Sequence, residues 1–70
     1  MSYSEYREAV RRLLQERWPE VSDDEIEGFL EEEAEEIRRR YLEAEASGMT
    51  PKEIRSAVVP SVTVYLELVF

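Results

Sequence analysis

Apolar side chains return at spacings of three and four along most of this chain, the period of a helix that buries one face. The longest such stretch is residues 22–48, where Ile26, Phe29, Leu30, Ala34, Ile37, Tyr41 and Ala44 fall on one stripe. Ser22 followed by Glu25 has the form of a capping box, in which hydroxyl and carboxylate each satisfy an open backbone N–H. Gly48 stands where helices commonly end in a left-handed residue. The pattern predicts a single helix between these two signals. Gly28 inside it costs about 1 kcal/mol relative to Ala, which points to a close helix approach at that position.

Upstream, Tyr6, Val10, Leu13 and Leu14 share a face and predict a first helix from about Ser4 to Trp18. Pro19 stops it, because proline disfavours helical geometry in the preceding residue and lacks an N–H. The link Trp18–Val21 is short, so the first two helices should pack as antiparallel neighbours. Downstream, Thr50-Pro51-Lys52-Glu53 is a second capping box with proline in the first helical position. It opens a third helix that presents Ile54, Ala57 and Val58 and meets Pro60 after about two and a half turns.

The last ten residues, SVTVYLELVF, read two ways. As a strand, Val62, Val64, Leu66, Leu68 and Phe70 alternate without a fault, and the residue types suit a sheet. As a helix, Val59, Val62, Leu66 and Val69 make a stripe that leaves Val64 and Leu68 off it. No other stretch reads as a strand, so a strand here would need a second chain to pair with. The expected fold is therefore all-α, a small bundle of three to four helices: an antiparallel hairpin, a capped third helix and an apolar C-terminal helix. The alternative is a C-terminal strand paired between chains. The core predicted on this basis is Tyr6, Val10, Leu13, Trp18, Ile26, Phe29, Leu30, Ile37, Tyr41, Ile54, Val58, Val62 and Leu66.

Composition narrows the picture. Seventy residues make one domain that buries only roughly 60% of the surface its unfolded chain exposes. There is no Cys and no His, which removes disulfides and the common zinc sites as sources of stability. Well-formed helices or a partner chain remain. A net charge of −8 argues against direct binding to nucleic acid or to acidic membranes. Met1 is followed at once by polar SYSEYRE rather than by a secretory leader, and no apolar run approaches the roughly 18 residues of a membrane span. The expectation is a cytoplasmic protein.

Charge is unevenly placed. Nine acidic residues and no basic one lie between Asp23 and Glu36, and Arg38, Arg39 and Arg40 follow. Glu35–Arg39 and Glu36–Arg40 are helical i,i+4 pairs in the favourable order, whereas Glu27–Glu31, Glu31–Glu35 and Glu32–Glu36 repel. Arginines of the first helix would offset part of that repulsion in an antiparallel hairpin.

Little of this resembles catalytic chemistry. The glutamates crowd one helix without the calcium-loop spacing or the inward-facing histidines of helical metal sites. Ser and Thr occur chiefly at caps and have no His to activate them. Gly28 and Gly48 are the only glycines, so no phosphate loop exists. The aromatics Tyr3, Tyr6, Trp18, Phe29, Tyr41, Tyr65 and Phe70 recur at helical spacing and read as core. No enzyme activity, cofactor or metal is expected.

Residues 57–70 hold ten apolar side chains and one charge, Glu67. A helix that is hydrophobic nearly all round must be covered on more than one side. The expected function is a non-enzymatic protein–protein interaction module, most simply a homodimer, using Val59, Val62, Tyr65, Leu66, Val69 and Phe70. A second reading makes Glu27, Glu31, Glu32, Glu35 and Glu36 a decoy for nucleic-acid phosphates that occupies a basic partner protein. A third is a designed or purely structural bundle, since installed caps and ion pairs are design features; Gly28, Pro60 and the apolar tail run against design.

Overall fold

The structure, a computed structural model, describes residues 1–70, and all its regular elements are helical. Helix α1 spans Tyr3–Arg17. It begins slightly before the apolar pattern predicts because Ser2 caps it: its Oγ accepts the Glu5 N–H at 3.2 Å. Trp18 leaves helical geometry at φ −124°, ψ 66°, as the residue before a proline tends to do.

The stretch predicted as one helix is two, α2 over Asp23–Glu32 and α3 over Ala34–Ala46, with Glu33 bent to φ −102°, ψ 15°. The Glu33 N–H still reaches the Phe29 carbonyl, and the Ile37 N–H reaches that of Glu33, both at 3.1 Å. The ladder therefore continues through a bend rather than a loop. Neither Pro nor Gly marks the site. Instead the Tyr65 hydroxyl, from the C-terminal helix, donates to Glu33 Oε1 at 3.0 Å, a tertiary contact invisible to local pattern. Ala34, expected on the apolar stripe, is exposed at the bend.

Two further expectations for this stretch are corrected. A Cβ on Gly28 would meet nothing within 4 Å, so no helix approaches it closely. The Ser22 hydroxyl does cap the Glu25 N–H at 3.2 Å, but the Glu25 carboxylate faces that same hydroxyl and the reciprocal bond of a full box is missing. Gly48, at φ 79°, ends α3 as predicted. Met49 N–H bonds to the Ala44 carbonyl and Gly48 N–H to that of Glu45, the paired bonds of a Schellman motif.

The Thr50 box is complete, with bonds of 2.9 and 3.2 Å in the two directions. The helix it opens does not stop at Pro60. Pro51–Glu53, a π-helical turn at Ile54–Val58, and Val59–Val69 follow without interruption and together form α4. The alternative of a C-terminal strand is thereby overturned, and the separate third and C-terminal helices are one rod. A proline inside an α-helix lacks an N–H and drives its ring against the carbonyl four residues back. The π turn lies immediately before Pro60, and there the Val59 N–H bonds to the Ile54 carbonyl, five residues back. The wider turn gives the ring room.

Three rods result. Arg7 meets Glu27 and Gln15 meets Asp23, while Tyr6 reaches Ile37 and Tyr41 reaches Met1; the bent α2–α3 rod thus runs antiparallel to α1. Arg17 meets Glu67 and Arg55 meets Glu5, so α4 runs parallel to α1. The core between them is Tyr6, Val10, Leu14, Ile26, Leu30, Ile37, Tyr41, Ala44, Ile54, Val59, Val62 and Leu66. Leu14 takes the buried place expected of Leu13, while Leu13, Trp18, Phe29 and Val58 lie only half-buried at its edge. The polar groups inside are satisfied. Tyr6 donates to the Ile37 carbonyl at 2.8 Å and Thr63 to that of Val59 at 2.8 Å.

Candidate interaction surface

On α4, Val59, Val62, Thr63 and Leu66 face inward. Helical periodicity then sends Ala57, Ser61, Val64 and Leu68 to the opposite side, and all four are exposed. Val64 is 48% and Leu68 81% accessible. Beyond them, Val69 and Phe70 are 46% and 65% accessible at the end of the rod. Phe70 leans on Trp18, just past α1, and on Phe29 of α2, with ring centroids 4.6 and 5.0 Å away. Apolar groups thus lie along one side of the bundle and at one of its ends.

Three of the residues expected to form an interface cannot do so. Val59, Val62 and Leu66 are almost wholly inside the chain's own core, because the spacing that makes the tail helical also turns them inward. Tyr65 is half-buried, its hydroxyl on Glu33 and its ring under Arg40 at 4.6 Å. The hydrogen bond to the Glu33 carboxylate, with burial second, pushes the Tyr65 hydroxyl above its ordinary range. Val69 and Phe70 remain available. Sequence reasoning missed Val64 and Leu68, the most outward of the large side chains on this helix. Their signal was present: they were the two positions that did not fit the helical stripe.

The edges of this surface carry charge that is already matched. Glu67 accepts from Arg17 at 2.8 Å. Glu36 is held to about 2 by hydrogen bonds from Arg39 and then Arg40. On α1, Glu8 is likewise held to about 2 by Arg11 and then Arg12.

The five glutamates expected to act as an acidic face are divided. Glu27 pairs with Arg7 at 3.1 Å and lies 3.9 Å from Arg11, as the antiparallel hairpin leads one to expect. Glu36 pairs with Arg40 at 2.7 Å and with Arg39. Arg39 therefore bonds to Glu36 and Glu43 rather than to Glu35. Glu31, Glu32 and Glu35 are exposed and make no ion pair. No three acidic side chains converge closely enough to hold a metal ion. No helix is long and apolar enough to cross a membrane.

The chain matches no known family model, no curated protein and no solved structure.

Proposed function

We propose that this protein is a non-enzymatic interaction module that associates through the outward face of α4. The observation that carries this reading is the row Ala57, Ser61, Val64 and Leu68, uncharged, exposed and backed by a rigid core. A molecule this small and this rich in charge has charged residues to spare, yet none lies in that row. Large apolar groups left together on such a surface mark a place where another molecule sits.

The association is weak. Fully covering a Val or Leu side chain contributes roughly 1.5–3 kcal/mol, and these are partly covered already. Against that stands a loss of free motion estimated at about 4–15 kcal/mol. Only a few such side chains are on offer, so a rapidly exchanging complex is the expected product.

A second reading draws on Glu31, Glu32 and Glu35, whose charges have no internal partner. They would let the α2–α3 rod occupy a phosphate-binding groove on a basic protein. Glu27 and Glu36 are already neutralised by arginines, which shortens the charge row and makes this the weaker reading. Binding measured for two variants separates the two. Leu68→Asp abolishes association under the first reading and leaves it intact under the second; replacing Glu31, Glu32 and Glu35 by Gln does the reverse.

A further inference from the structure

We infer that the molecule covering this face is a second copy of the same chain, laid antiparallel so that Leu68 of each copy seats beside Ala57 of the other. The inference rests on the reading of the α4 face as an association surface and adds the partner and the register.

The row Ala57, Ser61, Val64 and Leu68 is spaced four, three and four residues apart, the alternation by which two helices interdigitate along a seam. Its side chains grade from small to large. Parallel pairing in register would set Leu68 on Leu68 and Ala57 on Ala57, a wide layer at one end of the seam and a narrow one at the other. Antiparallel pairing about a twofold axis between Val62 and Thr63 sets Ala57 opposite Leu68 and Ser61 opposite Val64. Both pairs are symmetric about that point in the sequence. Each layer then holds one small and one large side chain, and the surface complements itself. Such an isologous contact closes at two chains.

The place offered to Leu68 is visible. Ala57, Val58 and Ser61 line a groove of about 320 Å³ against Ala44, Ser47 and Met49 at the end of α3, with Arg40 and Glu43 also on the α3 wall. Ala44 and Ser47 on one wall and Ala57 and Ser61 on the other leave its middle open. Leu68, the most exposed of the large apolar side chains, is the group that reaches it in the antiparallel register.

Charge permits the same arrangement. Helical geometry puts Pro60 and Glu67 along one flank of the row and Val58 and Tyr65 along the other. In the antiparallel register Glu67 falls near Pro60 of the second copy, and Tyr65 near Val58. The two Glu67 side chains lie at opposite ends of the seam, each with its own Arg17 at 2.8 Å. Despite a net charge of −8 per chain, Glu67, the one charge of residues 57–70, does not meet its own copy across the seam. A seam of one helix face per chain is expected to bury less than about 1,200 Å², the range of transient contacts.

The chain has no cysteine, so introduced thiols report the register directly. Ala57→Cys and Leu68→Cys chains, one of them carrying a mass tag, are mixed at high concentration and mildly oxidised. The antiparallel register predicts a disulfide-linked dimer of the two different chains, several-fold above either self-linked product. In that register two copies of position 57 lie about 16 Å apart along the seam, eleven residues at 1.5 Å rise each. Ser61→Cys mixed with Val64→Cys gives a second test that keeps Leu68 in place, and mixed links should again predominate.

Self-linked products predominating in both pairs would overturn the register. So would an absence of links in a chain that sedimentation shows to be dimeric. Either result leaves the α4 face standing as an association surface when Leu68→Asp still abolishes the dimer. A chain that is monomeric at every concentration overturns the choice of a second copy, and with it self-association.

Discussion

Val59 donates its backbone N–H to the carbonyl of Ile54, five residues earlier, and both side chains are buried in the core. In a regular α-helix residues five apart point about 140° away from one another. The π turn brings them onto one face and, in the same step, makes space for the ring of Pro60. One local widening thus answers two demands, the phase of the core and the tolerance of a proline.

Replacing Pro60 tests whether that accommodation is complete. A proline straining an α-helix costs about 3 kcal/mol, so Pro60→Ala would recover about that much. Here the turn already absorbs the ring, and the expected gain is below about 1 kcal/mol. Urea unfolding checks it through the midpoint at constant slope.

The two glycines should respond with opposite sign. Gly28 is exposed within α2, with open space where a Cβ would stand. Gly28→Ala should therefore stabilise by about 0.5–1 kcal/mol, raising the melting temperature by several degrees in a domain of this size. Gly48 holds φ at 79°, and Gly48→Ala should destabilise by about 1–2 kcal/mol despite the free space around it. Thermal melts of both variants under one buffer decide the matter.

Tyr6 joins the first and second rods. Its ring is buried against Tyr41 at 4.9 Å, and its hydroxyl donates to the Ile37 carbonyl. Burial holds the phenol well above its ordinary range, so the stabilising proton is fully present below pH about 10 and is lost only in stronger alkali. Tyr6→Phe removes the bond and keeps the ring. The expected loss is about 1 kcal/mol, read from chemical denaturation with the unfolding slope unchanged.

Acid should weaken the fold for a specific reason. Glu8 and Glu36 are both drawn down from 4.5 to about 2 by neighbouring arginines. A depressed carboxylate contributes stability above its unfolded value and loses it as pH falls toward the folded one. Melting temperature should therefore drop between pH 4.5 and about 2. Glu36→Gln should flatten that part of the curve while leaving the rest of its shape. A wild-type curve flat over this range would show that these ion pairs contribute nothing.

Ser22, Gly48 and the Thr50 box spoke clearly because capping chemistry is local, and the stripe from Ile26 to Ala44 followed from period except at Phe29 and Ala34. The bend at Glu33 was not legible, since its visible partner is Tyr65, distant in sequence. The π turn was hidden for a related reason: Pro60 reads as a helix stop until the core fixes the phase of Ile54 and Val59. At the surface, apolar character was mistaken for availability. Val59, Val62 and Leu66 are greasy because they are core, whereas Val64 and Leu68 are greasy and face outward. A change such as Leu66→Asp would consequently unfold the chain rather than probe its contacts.

The outward face of α4 is proposed to draw chains together. Sedimentation equilibrium over a wide range of concentration tests it, with wild type beside Val64→Asp plus Leu68→Asp, both positions being outside the core. The wild-type mass should climb from the 8.3 kDa of one chain toward twice that value, while the double variant stays at the monomer mass with undiminished helix content by circular dichroism. A wild-type chain that remains at 8.3 kDa throughout, or a double variant that associates as strongly as wild type, would contradict the account.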